Sequence, residues 1–441
     1  MKLSMKILLI NLHSSRNAGD HVLLEVALQQ LRTTFPGCAI TLAMNDPASY
    51  ARRANAGDEQ VVDSFFAWFK RPATSKRGGW RRLTLLWSLA MSLVAALLYR
   101  LLWLRADWIA PAAQRPIVRS YLEADLVASC AGNYLYSRGH AAGLPLLGPL
   151  FALFYAWLAG KPLVLLPQTI GPLWRRWERL LVRWMLMRAQ VVLLRDATSV
   201  ELMARMKVPP ARYHLTPDIA FLYTIDDPAP GDGLLAKYGV DPARARPLLG
   251  VTLIDWGAQH PRFMGQARYE AAVATAIRHF VETRGGTALL FAQVCGPNRA
   301  DDDRVPARRV RALLDAPHLA GRIIVVDEEV RAATLKAAYG RMDLFLGSRL
   351  HSNIFALTEH VPVLAIAYQD KTFGVLRMLG LGEWAIRIEA VDDAQLITKI
   401  QQLWEERTQL RRQIKANVAS LQAEASQALH RVEIGGRRAH P

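Results

Sequence analysis

Residues 342–368 read MDLFLGSRLHSNIFALTEHVPVLAIAY. A short apolar run, Leu344 to Leu346, stops at Gly347. A helix-like segment opens at Arg349-Leu350-His351, and a second apolar run, Pro362 to Tyr368, follows. Strand, helix and strand in this order predict a parallel α/β sheet. In such a sheet a strand's carboxyl end and the next helix's first turn form the crevice where ligands bind. Backbone N–H groups and the helix dipole favour anions there. A cap or an ion pair accounts for Arg349 alone, and a satisfied inner-face imidazole accounts for His351 alone. The two together, at a strand-to-helix turn, point to chemistry on a negatively charged substrate.

The same pattern runs through the chain. Continuous apolar runs predict strands at Ile7 to Leu12, Cys38 to Met44, Asp125 to Ser129, Pro162 to Leu166 and Val191 to Leu194. Helices are predicted near Asp20 to Thr33, Ala141 to Leu158, Trp174 to Arg188 and Ala197 to Met206. Asp226 to Gly233, DDPAPGDG, is the best linker candidate. The alternation then restarts with strands at Leu248 to Ile254, Ala288 to Val294, Arg322 to Val326, Asp343 to Leu346 and Val363 to Ala367. The predicted fold class is α/β: two Rossmann-like, doubly wound domains facing a cleft. The boundaries expected are 1–228 for the first domain, 229–410 for the second, and 411–441 for a C-terminal helix and basic tail.

At 441 residues, 51% hydrophobic and 21% charged, the chain suits two globular domains. Lys and Arg outnumber Asp and Glu by 55 to 38, which favours anionic ligands or lipid. No zinc-finger, aromatic RNA-binding or basic-arm motif is present, so nucleic acid is not expected. Cys38, Cys130 and Cys295 are widely spaced, fit a reducing compartment, and offer no metal-ligand spacing; no metal is expected. The run Ile7 to Ile10 is broken by Asn11 with no cleavage pattern after it, so it reads as a strand and the expected location is cytoplasmic.

Leu83 to Tyr99 is a separate question. This stretch of 17 residues makes a helix about 25 Å long, just short of a hydrocarbon core. Arg81, Arg82, Arg100 and Arg105 flank it. A spanning helix, an interfacial helix and a helix packed on protein all fit. A span would place one domain outside the cell, against a single connected fold. Peripheral contact with the inner membrane face is therefore one expected partner interaction.

Several predicted strand ends carry polar residues. Asn17-Ala18-Gly19-Asp20 forms the turn into the first helix, where Gly19 permits close backbone approach and Asp20 can cap. Gln168 lies in PQTIGP, where it can bond a ligand or simply shape a tight turn. Arg195 precedes Asp196, whose spacing to Ser199 is that of a helix start, leaving Arg195 to point into the crevice. Lys371 follows the strand after the Arg–His motif.

At these residues the chain resembles the polysaccharide pyruvyltransferase family. The matching elements are NAGDHVLL, PQTIGP, VVLLRDATSVELM, TPDIAFLY, GSRLHSNIFAL and VPVLAIAYQDKTFGVLRMLGL, in the family's order, from residue 7 to about 381. RLHS with the following strand and Tyr-x-x-Lys is the most specific piece. The resemblance implies a GT-B-like fold and transfer of pyruvate from phosphoenolpyruvate, the co-substrate, to a hexose as a cyclic ketal, with no cofactor. It places functional positions on Asp20, Arg195, Arg349 and His351, with Lys371 a weaker match. Arg349, Arg195 and Lys371 are expected to clamp carboxylate and phosphate. His351 is expected as general acid to the enol carbon and Asp20 as base to a sugar hydroxyl. Asn17, Gly19, Gln168 and Asn133 complete the expected substrate contacts.

One departure stands out. Where the family usually has a Gly-Gly-Gly turn, this chain has Cys130-Ala131-Gly132-Asn133, which adds side chains on the acceptor side. The acceptor is expected to be a glycan or lipid-linked oligosaccharide. Two rivals stay open: a GT-B glycosyltransferase using a nucleotide sugar, and a non-catalytic, membrane-docked relative in polysaccharide assembly.

Overall fold

β1 (Lys6–Leu12) carries Ile7, Leu8, Leu9 and Ile10 in succession, and all four are buried. A strand with no polar alternation has to be covered on both faces, which is the condition of a parallel sheet between helical layers. The computed structural model describes residues 4–51, 57–67, 78–137, 144–260, 262–296, 298–429, 433–434 and 437–438. It contains two compact units. The first comprises Met1–Ser15, Leu23–Ile219 and Ser426–Pro441; the second comprises Arg16–Val22 and Ala220–Ala425.

The first unit is built on β1 with β2 (Ala39–Met44), β3 (Gln60–Asp63), β4 (Leu126–Ser129), β5 (Gly132–Leu135), β6 (Leu163–Ile170), β7 (Val191–Leu194) and β8 (Tyr213–Leu215). Their order is β3-β2-β1-β4-β6-β7-β8, with β5 pairing β6 outside this path. Pairing is parallel, with Ile7 opposite Ile40 on one side and Leu126 on the other. β6 is longer than expected: it runs through Gln168 and Thr169 to Ile170, so PQTIGP begins inside the sheet rather than in a turn.

The second unit contains β9 (Leu248–Thr252), β10 (Thr287–Phe291), β11 (Ile323–Val326), β12 (Leu344–Gly347), β13 (Val363–Ala367) and β14 (Ala385–Arg387). Their order is β11-β10-β9-β12-β13-β14, again parallel. In both units the chain winds outward in one direction from its first strand and then in the other. That reversal is the Rossmann topology, and it leaves a crevice at the strands' carboxyl ends beside the first strand.

The division of the chain differs from the expected boundaries. It falls after Ile219, not after residue 228. The expected linker is instead the start of a helix, Ala229–Lys237. Gly231 explains why: a Cβ built on it would lie 2.6 Å from the Cβ of Ala337, so this segment is pressed against the helix Ala332–Tyr339. The C-terminal segment is one 34-residue helix, Asp393–Ser426, which buries Leu396, Ile400, Leu403, Leu410, Ile414 and Val418 along one stripe. It counts with the second unit as far as Ala425, so no separate element starts at residue 411. Of the basic tail expected from Gly435 to Pro441, only Arg437–Arg438 lies among the described residues, paired with Glu433–Ile434. The start of the helix expected at Ala141 also lies outside them; the described helix is Leu144–Leu158.

Candidate active site

In the second unit the winding reverses between β9 and β12, and the Arg349–His351 motif sits at the carboxyl end of β12. Gly347 closes the strand, and a built Cβ would stand 1.7 Å from Asn353 Oδ1, so any side chain there would displace Asn353. Asn353 Nδ2 donates to the Gly347 carbonyl at 3.2 Å, while Ser352 Oγ donates to the Arg349 carbonyl at 2.8 Å. Ser352 and Thr252 share a hydrogen bond of 2.7 Å, and Ser348 shares one of 2.7 Å with Tyr269. The turn between strand and helix is thus tied to β9 and to the helix Gln266–Arg284 through buried hydroxyls. Buried polar groups satisfied in this way hold a single backbone path.

Arg349 leads into the nine-residue helix Leu350–Thr358 with extended backbone. Its guanidinium is held by Asp303, with Nε 3.0 Å and Nη2 2.5 Å from Oδ1. Asp303 is fully buried and also accepts the Val294 N–H at 3.0 Å. Burial pushes the Asp303 carboxyl up to about 6, against the opposing pull of Arg349 and of the Val294 N–H. The guanidinium itself is held above its ordinary value by Asp303, despite burial. One fork edge is therefore occupied by a carboxylate that fixes the direction in which the other points.

The segment Arg16–Val22 reaches the same place from far away in sequence. Asn17 forms an antiparallel bridge with Val294, the residue bonded to Asp303, and the Ala18 N–H donates to the Gln293 carbonyl at 3.3 Å. Asn17, not Asp20, caps the helix Ala18–Thr34: its Oδ1 accepts the Gly19 N–H at 3.0 Å and the Asp20 N–H at 3.4 Å. The closest approach is at Gly19. A Cβ built there would meet His351 Nδ1 at 2.1 Å and Cγ at 2.4 Å, so the imidazole rests directly on the glycine backbone. The turn that the sequence marked for close approach makes it to His351, with Asp20 the next residue along.

Lys371 lies in the first turn of the helix Asp370–Met378, its Nζ 5.6 Å from the centre of the Tyr368 ring. Its neighbour Asp370 pairs away with Arg387 at 2.8 Å. Burial raises the Tyr368 phenol, but Lys371 and Arg349 outweigh it and hold the group below its ordinary value. Tyr368 also packs on Trp256, with ring centres 4.8 Å apart, and Trp256 stacks on His260. Asn17, Gly19, Asp20, Arg349, His351 and Lys371 therefore all belong to the second unit.

The remaining sequence candidates belong to the first unit. Arg195, expected to point freely into the crevice, is only 2% exposed, bonded by Nη1 to Asp218 at 2.7 Å and by Nε to Thr169 at 2.9 Å. The reason is the TPD segment after β8, which delivers Asp218 beside it. Asp196 does cap the following helix, accepting from the Ser199 N–H at 2.8 Å, as its spacing implied. Gln168 is fully buried, and its amide donates to the Cys130 carbonyl. It ties β6 to the Cys130-Ala131-Gly132-Asn133 segment. There Tyr134 folds back, its hydroxyl donating to the Ala131 carbonyl at 2.6 Å over Gly132, whose φ is +148°. Asn133 is half-buried on β5.

Sequence reasoning missed Asp303, Gln293 and Asp218. Asp303 had a signal, the run Asp301-Asp302-Asp303 ahead of a basic helix, but nothing local shows which of three adjacent carboxylates turns inward. Among the described residues no cluster of three or more His, Cys, Asp or Glu is arranged to hold a metal ion. The second unit instead gathers two cations, an imidazole, a carboxylate and the start of a helix: groups able to bind an anion and move a proton.

The polysaccharide pyruvyl transferase family matches residues 17–370, which include all of the groups just described except Lys371. The amylovoran biosynthesis protein AmsJ of Erwinia amylovora is 27% identical over 250 residues, 56% of this chain and 58% of that protein. The chain thus spans little more than half of that relative's length. Among solved structures, Anabaena Alr3699/HepE in complex with UDP-glucose superposes with a TM-score of 0.54 at 15% identity, covering 96% of this chain and 95% of that one. A UDP-GlcNAc 2-epimerase from Methanocaldococcus jannaschii gives 0.54 at 10% identity, covering 91% and 93%. At these identities the likeness is one of fold, and the fold is GT-B-like, with two Rossmann-like α/β units.

Proposed function

Because this chain belongs to the polysaccharide pyruvyl transferase family, we propose that it moves a pyruvyl group from phosphoenolpyruvate onto a hexose of a cell-surface polysaccharide or its lipid-linked precursor, forming a ketal. The observation that carries this reading is the meeting of Gly19 with His351 beside an Arg349 that Asp303 holds in place. It brings a proton carrier, a carboxylate neighbour and an oriented guanidinium into one unit of the protein.

Phosphoenolpyruvate presents a carboxylate and a phosphate. Arg349 can turn the fork edge not held by Asp303 to one of them, Lys371 is a point charge for the other, and the first turn of Leu350–Thr358 adds backbone N–H groups. Protonated His351 gives its proton to the methylene carbon, which becomes a methyl group and leaves C2 electrophilic. A sugar hydroxyl attacks C2 and passes its proton to the Asp20 carboxylate. The C2–O bond to phosphate then breaks with its electron pair staying on phosphate, which takes the proton held by Asp20 and leaves as inorganic phosphate. A second hydroxyl of the same sugar adds to C2, closes the ring and returns a proton to His351. Each step uses the chain's own side chains, and no cofactor is needed to balance it. The name of the AmsJ relative supports a role in building a polysaccharide.

The test is donor competition. The protein is incubated with phosphoenolpyruvate or with UDP-sugars in the presence of extracted lipid-linked glycan, and phosphate and UDP are measured. The reading expects acceptor-dependent inorganic phosphate from phosphoenolpyruvate, abolished in His351→Ala. Release of UDP with phosphoenolpyruvate untouched would replace it with nucleotide-sugar transfer.

A further inference from the structure

The helix Gly78–Leu102 leaves most of its large apolar side chains exposed. Its fully buried residues are small or polar, Ser88, Ser92, Ala95 and Ala96, while Leu89, Leu93 and Tyr99 are only partly buried against the core. Its outward stripe, at helical spacing, is Leu83, Leu86, Trp87, Val94, Leu97 and Leu101, with Leu86 63% exposed. A helix facing water has the reverse arrangement. The inward side is fixed chemically as well as sterically. Tyr155, in the helix Leu144–Leu158, donates its buried hydroxyl to the Ser92 carbonyl at 2.9 Å, and Ser92 Oγ donates to the Ser88 carbonyl at 2.8 Å. A helix that gives one long face to its own protein core cannot be surrounded by lipid, so it does not span a bilayer as a free helix.

The outward stripe continues beyond the helix. Trp103 is 80% exposed, and Leu104 and Trp108 are exposed beside it. Within the same unit the helix Arg176–Leu186, which like Gly78–Leu102 packs on Leu144–Leu158, exposes Leu180 and Leu181, with Trp174 exposed just ahead of it. Arg188 lies over the Trp184 ring at 3.7 Å. Isolated surface leucines are ordinary, but a row of large apolar side chains along one helix face marks a binding face. Basic residues prevail in the sequence beside them. Between Asp63 and Asp107 the sequence has no acidic residue, but it has Lys70, Arg71, Lys76, Arg77, Arg81, Arg82, Arg100 and Arg105. Around the second helix, Arg176, Arg179, Arg183 and Arg188 accompany a single acid, Glu178, which is buried. Leucines flanked by tryptophans and arginines are what the boundary between acyl chains and anionic headgroups accepts.

We infer that this face of the first unit docks in the plane of an anionic membrane, with Gly78–Leu102 lying along the headgroup–acyl boundary. The occupant is lipid of net negative charge, and the attachment is reversible and salt-sensitive. This inference stands apart from the proposed activity, because none of these side chains belongs to the candidate active site.

Co-sedimentation of the purified full chain with vesicles tests it. Binding is expected to vesicles of phosphatidylglycerol and phosphatidylethanolamine, at least tenfold weaker to pure phosphatidylcholine, and weaker again in high salt. Leu86→Glu with Leu97→Glu and Leu101→Glu should lower binding at least tenfold while leaving circular dichroism and the thermal transition unchanged. Arg100→Glu with Arg105→Glu should remove most of the preference for anionic lipid, which tests the same face without touching its apolar stripe. Wild-type protein that stays in the supernatant with every vesicle overturns the inference. So does a triple variant that still sediments, or a stable dimer in analytical ultracentrifugation that the same three substitutions dissociate.

Discussion

A methyl group at Gly19 would stand 2.1 Å from His351 Nδ1, so Gly19→Ala has to displace the imidazole or lift the Asn17–Asp20 turn. Displacements of this size cost about 100-fold in rate when they move a reacting group. Gly19→Ala should therefore lower phosphate release from phosphoenolpyruvate by about that factor while leaving the thermal transition within a few degrees. Activity at the wild-type level would remove His351 from the mechanism. Asp303 adds a pH signature. Its carboxyl, pushed up to about 6 by burial, is charged above that pH and grips Arg349; below it the carboxyl takes a proton and the grip loosens. The KM for phosphoenolpyruvate in the wild type should approach that of Asp303→Asn as pH falls from 7 to 5, since the variant has nothing to titrate there. A ratio of the two KM values that stays constant across this range would contradict the role. Arg195 makes the opposite kind of prediction. Its ion pair with Asp218 is buried on both sides, and truncating one partner of such a pair typically costs about 3–5 kcal/mol. Arg195→Ala should show that loss in denaturant unfolding. A variant as stable as wild type that had lost donor binding would return Arg195 to the substrate.

Among the elements, sequence was most legible where strands are covered on both faces. β7 (Val191–Leu194) and β13 (Val363–Ala367) are fully buried, so nothing polar interrupts the run and both ends are visible. Strands that escaped notice are of another kind. β3, β8 and β14 lie at sheet edges, carry exposed positions and are three or four residues long. β5 is also only four residues long and sits off the main strand path. In the candidate site, Arg349, His351 and the Asn17–Asp20 turn were legible because strand ends and glycines announce themselves locally. The partners were not: Asp303 meets Arg349, and Asp218 meets Arg195, only through the fold. The helix Gly78–Leu102 shows the same limit. Its apolar length is evident, but which side faces the core follows from Ser92 and Tyr155 meeting. Ser92→Leu should overpack that contact and destabilise by about 1–3 kcal/mol, whereas Leu97→Ser on the outward stripe should change stability by less than about 0.5 kcal/mol. Equal losses from the two substitutions, measured by urea unfolding, would show that the helix is oriented otherwise.

For the whole molecule, two Rossmann-like units follow from strand runs that restart once, and the second unit borrows Arg16–Val22 from the beginning of the chain. That loan explains why residues so distant in sequence belong to one chemical group, and why truncation of the first 22 residues should abolish donor binding even if the second unit folds. The central claim is a chemical one: His351, seated on Gly19, protonates phosphoenolpyruvate so that a sugar can take its pyruvyl group. Mass spectrometry of the glycan made in cells carrying the wild-type gene, the His351→Ala gene or no gene tests it most directly. The account predicts one pyruvyl ketal per repeating unit with the wild type and none in the other two. A ketal that persists with His351→Ala, or a glycan that lacks whole sugars rather than the ketal when the gene is removed, would contradict it.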